Sequence, residues 1–340
     1  MVALVDCDVH CAPASLAALE PYLDPYWRDY AVNAGVELKG LRRAYPPATR
    51  SGPVPTEYAL LREALLDAAP VELAVLSCLT MFEAHRHPYY AAALAAAVND
   101  WLRSEWLDRD SRLRASLAVP VHSVELAVEE IRRAGDDPRF VQVLLPVRSE
   151  APYGNPRFHP LLEAAAERGL VVAIHAWGPP GGAALPGGVA RTYLEDVVSN
   201  QLIVQSHVLS LVSEGVFVRY PSLRVCLVEC GFSWLPPLRW RFDKDWKGLV
   251  PEVPWVAERP SAYVRRHVRA TTAPSSLPAD PDEARRYLRL VGPELLVYAS
   301  DFPSVHGAPP ELLAELLGDD ASAVLAGNAR ALYDRTAVPA

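Results

Sequence analysis

Near its N-terminus the chain reads Asp6-Cys7-Asp8-Val9-His10, directly after the apolar run Val2 to Val5. Two carboxylates and an imidazole at alternate positions would share one face of an extended strand, where side chains repeat with period 2. Hard oxygen and borderline nitrogen donors so close together suit a divalent transition metal; a solvated strand end is the plain alternative. Similar ends recur along the chain. His175 follows Leu170–Ile174, Glu229 follows Leu223–Val228, and Asp301 lies in Ala299-Ser300-Asp301-Phe302-Pro303. One ionisable residue after an apolar run is ordinarily a cap or a satisfied polar group. Four such ends together point to convergence on one centre.

Asp8, Glu229 and Asp301 offer three carboxylates; His10, His175 and His207 offer imidazoles. A single zinc with an open position takes three protein ligands, so this set suits two metal ions better than one. A mixed histidine–carboxylate shell is also what oxygen-activating iron uses. Glu229 and Asp301 are the candidate catalytic carboxylates. Asp6 reads as a carboxylate that orients a ligand. His207, within Gln205–Leu209, reads equally as the missing imidazole or as a core histidine. His306, five residues after Asp301, and His87, in His85-Arg86-His87, fall on loops that should overhang the centre; His306 reads as a substrate or metal contact or as a solvated loop histidine, and His87 as a substrate contact or a plain loop residue. Trp177 and Trp234 follow the same strands as His175 and Glu229 and could wall an apolar pocket.

Such a centre needs elements that bring strand ends together. Apolar runs at Val71–Leu76, Leu113–Val119, Phe140–Leu145, Leu170–Ile174, Leu223–Val228, Val268–Thr271 and Leu295–Ser300 read as strands, in addition to the first. Helical stretches alternate with them: Glu57–Ala69, Tyr89–Leu107, Ser123–Ala134, Pro160–Arg168, a long helix ending near Tyr220, and helices from Pro310 onward. Apolar strands without strict alternation, each followed by a helix, indicate a parallel sheet buried on both faces. Eight units close naturally into a (β/α)8 TIM barrel, an α/β fold in which residues 1–340 form a single metal-binding domain. Its chemistry would sit at the C-terminal strand ends. A long insertion, about Cys11 to Pro70, follows strand one. It and the Gly178–Gly188 loop are candidate lids or dimer contacts. No G-x-G-x-x-G turn follows a strand, which disfavours a doubly wound sheet.

Composition narrows the function classes. The 340 residues are 51% apolar and 22% charged with net charge −8, which argues against nucleic acid or an anionic membrane as partner. Five cysteines, odd in number and mostly in apolar runs, fit reduced thiols, and neither a basic leader nor a spanning apolar stretch is visible. A cytoplasmic protein is expected. There is no G-x-S-x-G elbow, P-loop or CxxC pair, which removes serine hydrolase, NTPase and dithiol chemistry.

The chain resembles the amidohydrolase-related family of metal-dependent barrels, which includes aminocarboxymuconate-semialdehyde decarboxylase-like enzymes. The resemblance rests on Asp6–His10, Ile174-His175, Gly215-Val216-Phe217 with Tyr220–Val225, Ser300–Pro303 and Gly327–Tyr333, and spans essentially the whole sequence. Family members usually carry His-x-His or Glu-x-His on strand one and a histidine after strand six. Here Asp8-x-His10 and Glu229 stand there. That altered set is similar to a branch working as non-heme diiron monooxygenases, of the platensimycin and platencin diterpenoid type. By that resemblance two irons would activate O2, with an external electron donor, to hydroxylate an acyl-CoA-linked or terpenoid-like substrate in secondary metabolism and antibiotic biosynthesis. Arg239, Arg241, Lys244 and Lys247 could then meet coenzyme A phosphates, although interleaved Asp243 and Asp245 make a salt-bridged helix face the better reading. The alternative is a mononuclear zinc or manganese decarboxylase or hydrolase. A small-molecule substrate and a homodimer are expected in either case.

Overall fold

Eight parallel strands pair in chain order in a computed structural model that describes residues 3–34, 53–79, 85, 87–177, 191–304 and 306–336. They are β1 (Leu4–Cys11), β2 (Val71–Cys78), β3 (Leu113–Ala118), β4 (Phe140–Pro146), β5 (Val171–His175), β6 (Val225–Val228), β7 (Val268–Thr271) and β8 (Leu296–Val297). Helices between consecutive strands supply the crossovers that parallel pairing requires. Cys7 N–H donates to Tyr298 O at 2.9 Å and His10 N–H to Phe302 O at 2.8 Å, which draws β1 against the β8 end and nearly closes the ring. The expected TIM barrel is what the chain forms.

The strands sort their apolar residues into two layers. Leu76, Leu117, Val143, Val172 and Leu227 face outward onto the helices, in one large core. Val5, Cys7, Leu144, Val171, Ala173, Cys226, Val228 and Val297 fill the lumen. Ala329 and Leu332 of the helix Asn328–Tyr333 join that inner cluster, and Tyr333 Oη donates to Gln142 Oε1 at 3.0 Å. Arg335 then binds the carbonyls of Gly135 and Arg168, which precede β4 and β5. The C-terminal segment therefore crosses the N-terminal mouth of the barrel and forms its floor.

Several sequence expectations shift. The long helix stops at Ser213, because Gly215 turns left-handed at φ 69° before the short helix Val216–Arg219. The eighth strand shrinks to two residues, with a 3₁₀ turn, Pro293–Leu295, before it. The helices expected over Glu57–Ala69 and Tyr89–Leu107 each end in a widened turn, Arg62–Leu66 and Arg103–Leu107. Much of the expected insertion and the Gly178–Gly188 loop lie outside the described residues. All five cysteines are free and buried. No described helix is long and apolar enough to cross a membrane.

Candidate metal centre

The strand-one motif works differently from a plain period-2 reading. Pairing with β2 advances from Asp6↔Ala74 to Val9↔Leu76, so three steps on β1 oppose two on β2. This bulge rephases the strand. Cys7 faces the lumen before it, and Asp8 and His10 face the centre after it. Asp6 is therefore not on their face. Its Oδ1 accepts Ser300 N–H at 2.9 Å and Asp8 N–H at 3.3 Å, tying the bulge to the end of β8. Burial, only partly offset by those bonds, pushes its carboxyl up to about 7.

Two ligand candidates sit in backbone conformations that non-glycine residues avoid. Glu229 has φ 54° and Asp301 φ 61°. Left-handed backbone costs about 1–2 kcal/mol per such residue, and strain of this kind collects at functional sites. In both places the turn directs a carboxylate over the open end of the lumen.

The resulting cluster is compact. Asp8 Oδ2 lies 3.4 Å from His175 Nε2 and 3.6 Å from His10 Nε2, and Glu229 Oε2 lies 3.6 Å from His175 Nε2. Four ligand atoms around an ion at about 2.0–2.2 Å would stand about 3.3–3.6 Å apart at the corners of a tetrahedron. The Asp8 and His175 side chains are fully buried, yet both carboxylate oxygens of Asp8 and both ring nitrogens of His175 lack a hydrogen-bond partner. Buried polar atoms are otherwise satisfied. A divalent cation fits this donor set and would satisfy Asp8 Oδ2 and His175 Nε2, the two orphaned atoms that lie in the cluster.

Asp301 and His306 extend the site. Asp301 Oδ1 meets His10 Nε2 at 2.9 Å and its Oδ2 meets His306 Nδ1 at 3.0 Å. Glu229, Asp301 and His306 form a second donor group, with Glu229 common to both. Burial would raise Asp301, but its bonds to His10 and His306 prevail and hold it well below the usual carboxylate range. Glu229 goes the other way, raised by burial and by the neighbouring Asp301 charge. Burial would lower His10, but the Asp8, Glu229 and Asp301 carboxylates outweigh it and push the imidazole up to about 10.

Other expected site residues lie elsewhere. His207 is buried and stacks on Tyr153, with Nδ1 accepting Tyr153 N–H at 3.1 Å and Nε2 against Val147 O at 2.7 Å. Both nitrogens are occupied by backbone, so it does not supply the expected sixth ligand. Burial lowers its pKa to about 4. Trp234 packs in the outer core and donates to Cys230 O, which removes it from the pocket wall. His87 is exposed and caps the helix Pro88–Leu102, accepting Tyr90 N–H. Trp177 lies in the lumen cluster, directly beyond His175. Sequence reasoning missed the hydroxyls of Thr271, Thr272 and Ser300; their one visible signal is position, at or beside the ends of ligand-bearing strands.

A family model described as amidohydrolase matches residues 5–335. The gamma-resorcylate decarboxylase of Polaromonas is 27% identical over 204 residues, 57% of this chain and 62% of that protein, so the chain spans less than two thirds of its length. Its counterpart from Rhizobium is 25% identical over 255 residues, 70% of this chain and 75% of that one. Among solved structures, an amidohydrolase from Mycobacterium avium subsp. paratuberculosis aligns with a TM-score of 0.74 at 20% identity over 97% of each chain. A dihydroxybenzoic acid decarboxylase from Polaromonas, with bound manganese and an inhibitor, aligns at 0.67 and 19% identity over 98% of this chain and 97% of that one. The fold likeness is thus established over nearly the full length. These relatives overturn the expectation of a monooxygenase acting on an acyl-CoA-linked or terpenoid-like substrate in antibiotic biosynthesis. O2 and an external electron donor belonged to that reading. Of the expected metal chemistry, a donor cluster is present, and one related structure holds manganese; nothing supports two irons.

Proposed function

Because the chain belongs to the amidohydrolase family, we propose that it is a metal-dependent decarboxylase of a small carboxylated phenol-like substrate. Asp8, His10, His175 and Glu229 would hold one zinc or manganese ion. The observation that carries this reading is the likeness to gamma-resorcylate decarboxylases. When bound, the ion supplies a Lewis acid that draws a carboxylate or hydroxyl oxygen of the substrate and stabilises negative charge developing there.

The chain's own residues do the rest. Asp301, kept ionised, accepts from His306 Nδ1 and so fixes the tautomer. His306 Nε2 then faces the pocket with its lone pair, takes a proton from a substrate hydroxyl or from solvent, and relays it. Loss of CO2 leaves an electron pair on carbon, which takes up that proton. The packed lumen below, with Trp177 at its upper end, closes the site to water from beneath. The partners in this reading are the small-molecule substrate and a second copy of the chain. Support for the latter is the exposed apolar row Leu194, Val198, Leu202 and Leu209 on the helix Tyr193–Ser213, and light scattering on the purified protein tests it.

One observation favours a second reading of the same centre. Glu229, Asp301 and His306 also bring donor atoms within 4.8 Å of one another. Three carboxylates, Asp8, Glu229 and Asp301, meet at this centre, and a second cation would offset their mutual repulsion. The deciding experiment is elemental analysis of protein loaded with zinc or manganese, followed by CO2 release from a panel of hydroxybenzoates. One ion per chain with metal-dependent CO2 release is expected. Two ions would support the second site, and metal-loaded protein that releases no CO2 would overturn the decarboxylase reading.

A further inference from the structure

β7 carries no ligand of its own, yet it lies between the two strands whose ends carry the left-handed carboxylates. Its last residue, Thr271, and the next, Thr272, are both buried. Thr271 Oγ1 accepts Glu229 N–H at 3.1 Å and donates to Ala273 O at 2.8 Å. Thr272, one residue on, reaches the other neighbour. Thr272 Oγ1 accepts Ala299 N–H at 3.1 Å, two residues before Asp301, while Thr272 N–H donates to Val297 O at 2.9 Å.

The strain at Glu229 gives these bonds meaning. A residue at positive φ stays there only where its surroundings over-determine it. At Glu229 the peptide N–H is the group most directly tied to φ, and Thr271 holds it. The following turn is held as well: Gly231 has φ 63° and lies against the Gln201 side chain. At Asp301 the flanking residues are held instead, Ser300 N–H by Asp6 and Phe302 N–H by Ser300 Oγ.

We propose that Thr271 and Thr272 are positioning residues for the metal centre, a two-sided clamp in which Thr271 aims Glu229 and Thr272 aims Asp301. This rests on the metal-centre reading above. A valine at either place keeps the shape of threonine and removes the acceptor, whereas serine keeps the hydroxyl.

Cobalt(II) reports ligand geometry directly through its visible absorption. Expected results are a spectrum in T271V displaced toward that of E229Q, one in T272V displaced toward that of D301N, and parent-like spectra in T271S and T272S. Metal affinity, by chelator competition, should fall about 10- to 100-fold in T271V, whose partner Glu229 is a ligand, as when other groups supporting a ligand are lost. Y333F, which removes a hydrogen bond on the barrel floor, should leave the cobalt spectrum unchanged whatever it does to the melting temperature. If T271V does not fold, T271A deletes the hydroxyl without adding bulk and gives the same reading. A T271V or T271A protein with parent spectrum and affinity overturns the role of Thr271. A parent protein that takes up no cobalt overturns the metal centre itself, and the clamp with it.

Discussion

At the scale of single residues, the centre is a problem of charge. Asp8 and Asp301 are buried carboxylates, and His10, raised to about 10, keeps its proton in the metal-free chain at neutral pH. An incoming cation must displace that proton, so protons compete with metal below pH 10. Affinity should therefore weaken by at least about tenfold for each unit the pH falls, which chelator competition at pH 6, 7 and 8 would show. H175A should lose more affinity than the about 10–100-fold typical of a supporting residue, and elemental analysis would find it nearly metal-free. H306Q should keep its metal while CO2 release slows by about 10²–10⁴-fold, the usual worth of a positioned acid. Unchanged turnover in H306Q would move the proton donor elsewhere. Most of this set was legible, since Asp8, His10, His175, Glu229 and Asp301 all follow apolar runs. The role of Asp6 was only half visible. Its separation from Asp8 depends on a bulge, and a bulge is set by pairing with β2, about sixty residues away in the chain.

At the scale of elements, side chains that looked chemical often serve to join neighbours. His207 fastens the helix Tyr193–Ser213 to the loop after β4, and its two hydrogen bonds require a neutral ring. Its folded value of about 4 lies below the ordinary 6.5, so the unfolded chain binds the extra proton between these limits. Its stabilising contribution is complete above about pH 6.5 and is lost as pH falls toward 4, up to about 3 kcal/mol. Urea unfolding of the parent and H207Q should show a stability gap that narrows across that window; a constant gap would refute the assignment. The same element shows what a sequence withholds. Its apolar spacing gives a helix, but only Gly215 at positive φ decides where it stops. β7 left little mark in the sequence because four residues carry little pattern, and hydrogen bonds made by threonines leave no periodic trace.

At the scale of the whole molecule, the barrel was the most legible feature, because eight apolar runs separated by helices leave few other closures. The ordering of function was less so: the same six donors suited either an oxygenase or a decarboxylase, and the likeness to known decarboxylases spoke against the oxygenase. A bound ion joins β1, β5 and β6, so chelation should destabilise the entire fold. A free metal concentration a thousandfold above Kd contributes about 4 kcal/mol, and thermal melts with and without chelator should differ accordingly. An identical melt would place the cluster outside metal binding. The barrel floor has a consequence for traffic. Leu332 and Tyr333 plug the lower mouth, so under the proposed decarboxylation reactant and both products would share the upper opening. The organic product then blocks the next arrival until it departs, and it should inhibit competitively, with departing CO2 travelling past it toward solvent.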